Sequence, residues 1–131
     1  MIDHINVRVS DIVRSKAWYS TALAPLGYVV TYDFPFSEKR KTATVGFGIG
    51  GRTELWISQA PGQPDPIAPV HIALGVTKRA LVHDFHAAAL AAGGRDNGSP
   101  GLRPHYTPTY YGGFVLDPDG HNVEAVCREA E

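Results

Sequence analysis

Two histidines and two glutamates are the residues of this sequence with the clearest capacity for chemistry, namely His4, His71, Glu54 and Glu124. Two imidazoles and two carboxylates suit a borderline divalent metal ion such as Zn, Ni, Co, Mn or Fe, and ligand type alone does not choose among them. A carboxylate in such a set is also able to take a proton from a substrate. A lone histidine or glutamate on a strand is usually an ordinary polar residue, so the metal hypothesis depends on whether the four side chains meet.

The four residues occupy related places in an internal repeat. The segment from His4 to Val9 resembles the segment from His71 to Val76, at an offset of 71 − 4 = 67. Because the offset continues without a gap over many positions, we interpret it as a duplication. The paired residues are Trp18 with Phe85, Ala22 with Ala89, Leu23 with Leu90, Gly27 with Gly94 and Phe47 with Phe114.

Each copy has the hydrophobic periodicity of one strand, one helix and three further strands. Ile5, Val7 and Val9 alternate with polar residues, as in a half-buried strand. Ser10 or Asp11 is placed to cap the first helix, and Thr77 to cap the second. The sequence therefore predicts an α+β fold, with one domain over residues 1–131 made of two tandem βαβββ modules, about 1–60 and 69–128. Curved mixed sheets would surround a concave cleft, with the helices outside.

Strand alternation decides which face each candidate ligand occupies. His4, His71 and Glu124 each alternate with apolar neighbours, and the apolar residues are expected to face the helices. The polar side chains then point to the helix-free, concave side, where pseudo-symmetry brings the two His/Glu pairs together. Glu54 follows a short hairpin, in which the register of a strand slips easily by one or two residues.

Composition limits the kinds of partner. The chain has 131 residues, with 12 Lys plus Arg against 13 Asp plus Glu, so it lacks the basic excess expected for a nucleic-acid or anionic-membrane partner. Its single cysteine, Cys127, cannot form an intrachain disulfide, which fits a cytoplasmic location. We therefore expect a small-molecule substrate or ligand.

The segment from Gly98 to Tyr111 is rich in proline and in aromatic residues. One interpretation is a pocket rim that offers Arg103 and three tyrosines to an anionic or aromatic ligand. The other is a loop packed against the sheet by its own tyrosines. Trp56 is a candidate for the pocket wall or for the core, and His121, in the last hairpin turn, is expected to be solvated. The candidate substrate-binding residues from these segments are Trp56, Arg103, Tyr106, Tyr110 and Tyr111.

The duplicated βαβββ pattern, the two histidine openings and the ending Asp117-Pro118-Asp119-Gly120-His121-Asn122-Val123-Glu124 resemble the vicinal oxygen chelate superfamily. This group includes glyoxalase I, fosfomycin-resistance enzymes, bleomycin-resistance proteins and extradiol dioxygenases. The resemblance covers nearly the whole chain. The loop before Tyr111 is more similar to a bacterial glyoxalase-like subgroup than to glyoxalase I itself.

The resemblance implies metal ligands at His4, Glu54, His71 and Glu124, as in glyoxalase I, or at the two histidines and Glu124 alone, as in the fosfomycin-resistance and extradiol enzymes. It also adds Arg8, which matches an arginine near the glutathione carboxylate in glyoxalase I. Ser58 departs from the pattern, because glyoxalase I has an asparagine there that helps to hold glutathione.

Three functions follow. The first is a glyoxalase-like, divalent-metal-dependent lyase or isomerase, in which Glu124 or Glu54 moves the proton of an enediolate-like intermediate. The second is a bleomycin-resistance-like protein that binds a small molecule without catalysis. The third is an Fe-dependent extradiol-type dioxygenase that uses His4, His71 and Glu124. A homodimer is the default expectation, since members of the superfamily often pair.

Overall fold

The computed structural model describes residues 1–131 and contains eight strands and two α-helices. The first module comprises β1 (Ile5–Arg8), α1 (Ile12–Leu23), β2 (Val29–Phe34), β3 (Ala43–Ile49) and β4 (Arg52–Gln59). The second comprises β5 (His71–Val76), α2 (Arg79–Ala91), β6 (Arg95–Leu102), β7 (Tyr111–Leu116) and β8 (Asn122–Cys127). A short 3₁₀ turn, Ala24–Leu26, follows α1. Neither helix is long and apolar enough to cross a membrane.

The two modules have the same sheet topology, which confirms the predicted α+β fold of two tandem βαβββ units. Strand order is β1-β4-β3-β2 in the first sheet and β5-β8-β7-β6 in the second. In each sheet the module's first and last strands pair in parallel, and the remaining pairs are antiparallel. The two sheets remain separate, so each module keeps an open side.

Both helices cover one face of their sheets and share a single core. Eighteen buried residues from the two modules form one hydrophobic cluster. Trp18 of α1 is 2% exposed, and its indole N–H donates to the carbonyl of Ala89 in α2. Gly94 permits this contact, because a Cβ there would lie 2.9 Å from Trp18 Nε1 and 2.8 Å from the Ala89 oxygen. The helix pair thus joins the two modules on the outer side of the sheets.

The observed N-cap of α1 is one of the two residues predicted from the sequence, whereas the N-cap of α2 differs from the prediction. Asp11 caps α1 by accepting from the backbone N–H groups of Val13 and Arg14. The predicted cap of α2 at Thr77 is wrong, since the N-cap residue is Lys78 and it makes no side-chain capping bond. A carboxylate 52 positions away, that of Glu131, accepts from the backbone N–H of Arg79 instead.

A buried turn between β7 and β8 joins the second module to the first, and we call Asp117–His121 the latch. Asp117, 2% exposed, accepts from the hydroxyl of Tyr19 at 2.8 Å and from two backbone N–H groups of its own turn. His121 Nε2 lies 2.8 Å from the carbonyl oxygen of Arg8, while its Nδ1 accepts from the backbone N–H of Val70. His121 is only 1% exposed, so its expected solvation is wrong. Nε2 thus joins the two modules, while Nδ1 holds the turn against the residue that precedes β5.

Removing the hydroxyl of Tyr19 should destabilise the fold. Tyr19→Phe leaves one oxygen of the buried Asp117 carboxylate without its donor, and we expect a loss of about 1–3 kcal/mol in the free energy of unfolding, measured by urea denaturation. Tyr32→Phe is the matched control, because Tyr32 is 50% exposed, and it should change stability by less than about 0.5 kcal/mol. Equal losses in the two variants would contradict a structural role for the latch.

The stability difference between wild type and Tyr19→Phe should also depend on pH. Burial raises the pKa of Asp117 above its ordinary value of 3.8, while His121 and Tyr19 oppose that rise. A raised folded-state pKa means that Asp117 favours folding in its neutral form, and this contribution is lost as pH rises through the folded pKa. The Tyr19 bond offsets that loss by stabilising the carboxylate. Urea titrations should therefore show a larger difference at about pH 7 than at about pH 3.

Candidate functional site

His71 and Glu124 form a close pair on the helix-free face of the second sheet. Glu124 lies opposite Ala73 in the parallel β5–β8 ladder, so its side chain shares a face with that of His71 two residues away. Glu124 Oε2 is 3.2 Å from His71 Nε2, and the glutamate is 1% exposed. Its other oxygen, Oε1, accepts from the hydroxyl of Tyr110 at 2.6 Å. The carboxylate is therefore buried and held at one oxygen.

The contact between His71 and Glu124 lacks a hydrogen-bond donor when the ring is neutral. His71 Nδ1 lies 3.0 Å from the carbonyl oxygen of Asn122, which can only accept, so Nδ1 must carry a proton. The neutral ring then presents the lone pair of Nε2 to Glu124 Oε2, a buried oxygen with no hydrogen-bond partner. Two acceptor atoms at this distance need a cation between them, either a proton on Nε2 or a metal ion. A ligand histidine whose other nitrogen is bound by a carbonyl is the usual arrangement at metal sites.

His4 and Glu54 are held in a comparable way in the first module. His4 Nδ1 lies 2.8 Å from Asp3 Oδ1, and the histidine lowers the pKa of Asp3. Glu54 Oε2 accepts from the Tyr28 hydroxyl at 2.8 Å, and burial together with Glu54 raises the Tyr28 pKa well above its ordinary value. Each of the four predicted ligands thus has one atom in a hydrogen bond within the chain and a second atom left for another partner.

Glu54 occupies a β-bulge, which sets it apart from Glu124. Phe47 pairs with Leu55 and Gly48 with Thr53, so Glu54 is the extra residue of its strand. In the β1–β4 ladder, Trp56 is the residue opposite Asn6. Asn6 corresponds to Ala73 at the offset of 67, and Ala73 lies opposite Glu124. By strand register, Trp56 rather than Glu54 is therefore the positional counterpart of Glu124.

Two neighbouring cavities connect the four residues through His71. One, of about 470 Å³, is lined by His4, Glu54 and His71 together with Asp3, Tyr28 and Arg52. The other, of about 480 Å³, is lined by His71 and Glu124 together with residues of the loop 103–110. Within the predicted set, only His71 and Glu124 lie close to each other, with Nε2 and Oε2 3.2 Å apart. The chain by itself therefore brings one His/Glu pair together and leaves the other pair across the first cavity.

The predicted substrate-binding residues divide into two groups by position. Tyr106 and Tyr110 line the cavity beside Glu124. Arg103 stacks on Phe114 and donates to the carbonyl groups of Ser99 and Leu102.

The other predicted residues lie away from that cavity. Tyr111 is bound through its hydroxyl to His83 of α2, on the helix side of the sheet. Trp56 stacks against Tyr32 and Phe34 on the first sheet, and Arg8 lines a separate cavity of about 350 Å³ beside the linker prolines.

Several residues that support the site gave no signal in the sequence. Tyr28 and Asp3 hold the first pair, and Asn122 holds the ring of His71 through its backbone carbonyl. Arg128, which follows β8, also lines the cavity beside Glu124. Among these supporting residues, the only hint in the sequence is that Arg128 lies four residues after Glu124.

A further group of metal-ligand types occurs in the latch, where donor atoms of Asp117, Asp119 and His121 lie within 4.8 Å of one another. The hydrogen bonds of these residues argue against a metal ion there. Both nitrogens of His121 are engaged, and Asp119 accepts from the backbone N–H and the hydroxyl of Ser10. The group is therefore explained by its role in joining the modules.

Comparisons with known proteins agree with this fold. A sequence model of the family described as Glyoxalase/Bleomycin resistance protein/Dioxygenase superfamily matches residues 1–125. No curated protein matches the chain at a significant level. Among solved structures, a glyoxalase/bleomycin resistance protein from Albidiferax ferrireducens T118 is 26% identical with a TM-score of 0.69, and the alignment covers 97% of this chain and 98% of that one.

Two more distant structures show the same fold. A glyoxylase/bleomycin resistance protein/dioxygenase domain from Frankia sp. EAN1pec is 16% identical with a TM-score of 0.73, covering 97% of this chain and 96% of that one. Glyoxalase I from Zea mays is 21% identical with a TM-score of 0.72, covering 96% of this chain but 45% of that one. The chain thus spans less than half the length of the maize enzyme. Since the family model matches almost the whole sequence, and since its two βαβββ modules have the matching fold, this chain belongs to the glyoxalase/bleomycin resistance protein/dioxygenase superfamily.

Proposed function

We propose that this protein is a glyoxalase-like, divalent-metal-dependent enzyme of the lyase or isomerase type, acting on a small substrate with two neighbouring oxygens. His4, Glu54, His71 and Glu124 would hold the metal ion. The observation that carries the proposal is the buried oxygen Glu124 Oε2, which has no hydrogen-bond partner and lies 3.2 Å from His71 Nε2. A divalent ion bound there would supply Lewis-acid stabilisation of negative charge on the substrate.

Glu124 is the residue that we propose moves the proton. Tyr110 donates to Oε1, and burial, together with Glu124, raises the pKa of Tyr110 to about 12, so this tyrosine remains a donor at neutral pH. The bond fixes the carboxylate at Oε1 and leaves Oε2 as the oxygen that would face the metal ion and the substrate proton. Glu54, held by Tyr28 in the same manner, is the candidate for the same role on the other side of the site.

A homodimer is part of the proposal. The two sheets are not joined to each other, and His4 and Glu54 are not gathered around the His71–Glu124 pair within the chain. A second copy against the open side would supply further walls and ligands to the site. Light scattering on a sizing column should give the mass of two chains, and the mass of one chain would remove this part of the proposal.

A binding protein without catalysis, similar to bleomycin-resistance proteins, is the second candidate. Tyr32, Phe34 and Trp56 present near-parallel rings, with interplanar angles of 9° to 22°, on the helix-free face of the first sheet. Gly46 makes this possible, since a Cβ there would lie 2.9 Å from the Trp56 ring. Such a surface suits a flat ligand and needs no metal ion.

Metal binding tests the proposal directly. Protein purified without a histidine tag and titrated with Ni²⁺ or Co²⁺ in a calorimeter should take up metal, and Glu124→Ala should weaken the affinity by at least about tenfold, because a ligand is lost. Less than about a tenth of an equivalent in the purified protein, with no uptake on titration, would overturn metal dependence. It would also overturn the iron-dependent dioxygenase alternative, which uses His4, His71 and Glu124 and should consume oxygen with a catechol.

Substitutions at two glycines of the second sheet test whether Glu124 is a metal ligand. A Cβ at Gly112 would lie 2.7 Å from Glu124 Oε1 and 3.2 Å from the Tyr110 ring, whereas a Cβ at Gly75 in the same sheet would meet nothing within 4 Å. Gly112→Ala should displace the carboxylate and weaken metal binding at least about tenfold, while Gly75→Ala should bind as the wild type does. Equal affinities of the two variants would argue against Glu124 as a ligand.

Proton transfer separates the enzyme from the binding protein. With metal present, the wild type should exchange solvent deuterium into hydroxyacetone, observed by proton NMR, and Glu124→Gln should abolish the exchange. A protein that only binds ligands should show no exchange. Lactoylglutathione formation from methylglyoxal and glutathione should be weak, because Ser58 replaces an asparagine that glyoxalase I uses to hold glutathione.

A further inference from the structure

The cavity of about 480 Å³ beside His71 and Glu124 has the size and position of a small-molecule binding site. It lies on the helix-free face of the second sheet, under the loop 103–110. Its volume falls in the range of small-molecule sites, which begins near 300 Å³. The residues that line it are His71, His105, Tyr106, Thr107, Tyr110, Phe114, Glu124 and Arg128.

Aromatic rings form much of the cavity surface. Tyr106 and Tyr110 of the loop meet edge to face, with ring centroids 5.0 Å apart, and His105 lies 4.3 Å from Tyr106. Phe114 of strand β7 lies on the sheet side, 6.3 Å from the ring of His71. Tyr106 is 59% exposed, so its ring is available to contact a ligand. These surfaces favour a ligand with an aromatic ring.

The accessible charge of the cavity is positive. Glu124 is the only carboxylate in the lining, but it is 1% exposed and is bound by Tyr110. Arg128 is exposed, lies 4.8 Å above the Tyr110 ring and belongs to none of the ion pairs of the chain. Arg103, in contrast, is engaged by two backbone carbonyl groups. Arg128 is therefore the guanidinium available to an anion.

We propose that this cavity binds an aromatic carboxylate, with the carboxylate on Arg128 and the ring against Tyr106 and Phe114. A guanidinium presents paired N–H donors that match the two oxygens of a carboxylate. The other end of the ligand then faces His71 and Glu124. Only this last placement rests on the proposed function, since recognition by Arg128 requires no metal ion.

The test uses metal-free protein and a matched pair of probes, 3-phenylpropionate and its neutral amide. Titrations followed by ¹H–¹⁵N NMR should show the acid binding at least about tenfold more tightly than the amide. Arg128→Gln should remove that difference. Arg95→Gln, a control at an exposed arginine of β6 outside this cavity, should preserve it. Tyr106→Ala should weaken both probes alike.

Equal binding of acid and amide by the wild type, or equal effects of Arg128→Gln and Arg95→Gln, would overturn the inference. The result is independent of metal binding. A protein that binds 3-phenylpropionate through Arg128 but takes up no metal supports this inference and contradicts the proposed function. A protein that takes up metal through Glu124 but does not distinguish the acid from the amide supports the proposed function and contradicts this inference.

Discussion

The latch at Asp117–His121 is the interaction on which the placement of the candidate site depends. His121 donates to the carbonyl of Arg8 in β1 and accepts from the backbone N–H of Val70, while Asn122 N–H donates to the carbonyl of Val70. His71 follows Val70 directly, and Glu124 lies three residues beyond His121. The same turn therefore joins the modules through Arg8 and, through Val70, sets the register that brings His71 and Glu124 together within the second module. Buried polar groups demand partners, so this register cannot shift without leaving several of them unsatisfied.

The two halves of the candidate site reach a similar arrangement from unequal parts. A tyrosine hydroxyl holds each glutamate, but Tyr28 and Tyr110 do not correspond in the repeat, because the offset of 67 pairs Tyr28 with Arg95. The histidines likewise use different partners, a carboxylate of Asp3 and a backbone carbonyl of Asn122. Two non-equivalent tyrosines therefore give the two glutamates the same kind of support, although by strand register Trp56, not Glu54, corresponds to Glu124.

The modules differ most on their helix-free faces. In the second module the loop 103–110 covers the sheet and buries Glu124 and Tyr110. In the first module the corresponding face is open and presents the rings of Tyr32, Phe34 and Trp56. One face therefore offers a cavity lined by a carboxylate and a guanidinium, and the other a flat aromatic surface. Membership of the superfamily is compatible with either face as a ligand site.

The sequence by itself determined the duplication, the βαβββ order, the placement of the first helix cap at Ser10 or Asp11, and the shared face of His71 and Glu124. These follow from local periodicity, because strand alternation and helix spacing are properties of neighbouring residues. Only the tertiary structure decided that Glu54 lies in a bulge level with the start of β1, that His121 is buried and that Glu131 replaces Thr77 at the start of α2. It also decided that Arg128 rather than Arg103 is free to meet an anion. Each of these outcomes depends on strand register or on a hydrogen-bond partner brought close by packing, and no short-range pattern encodes such a partner.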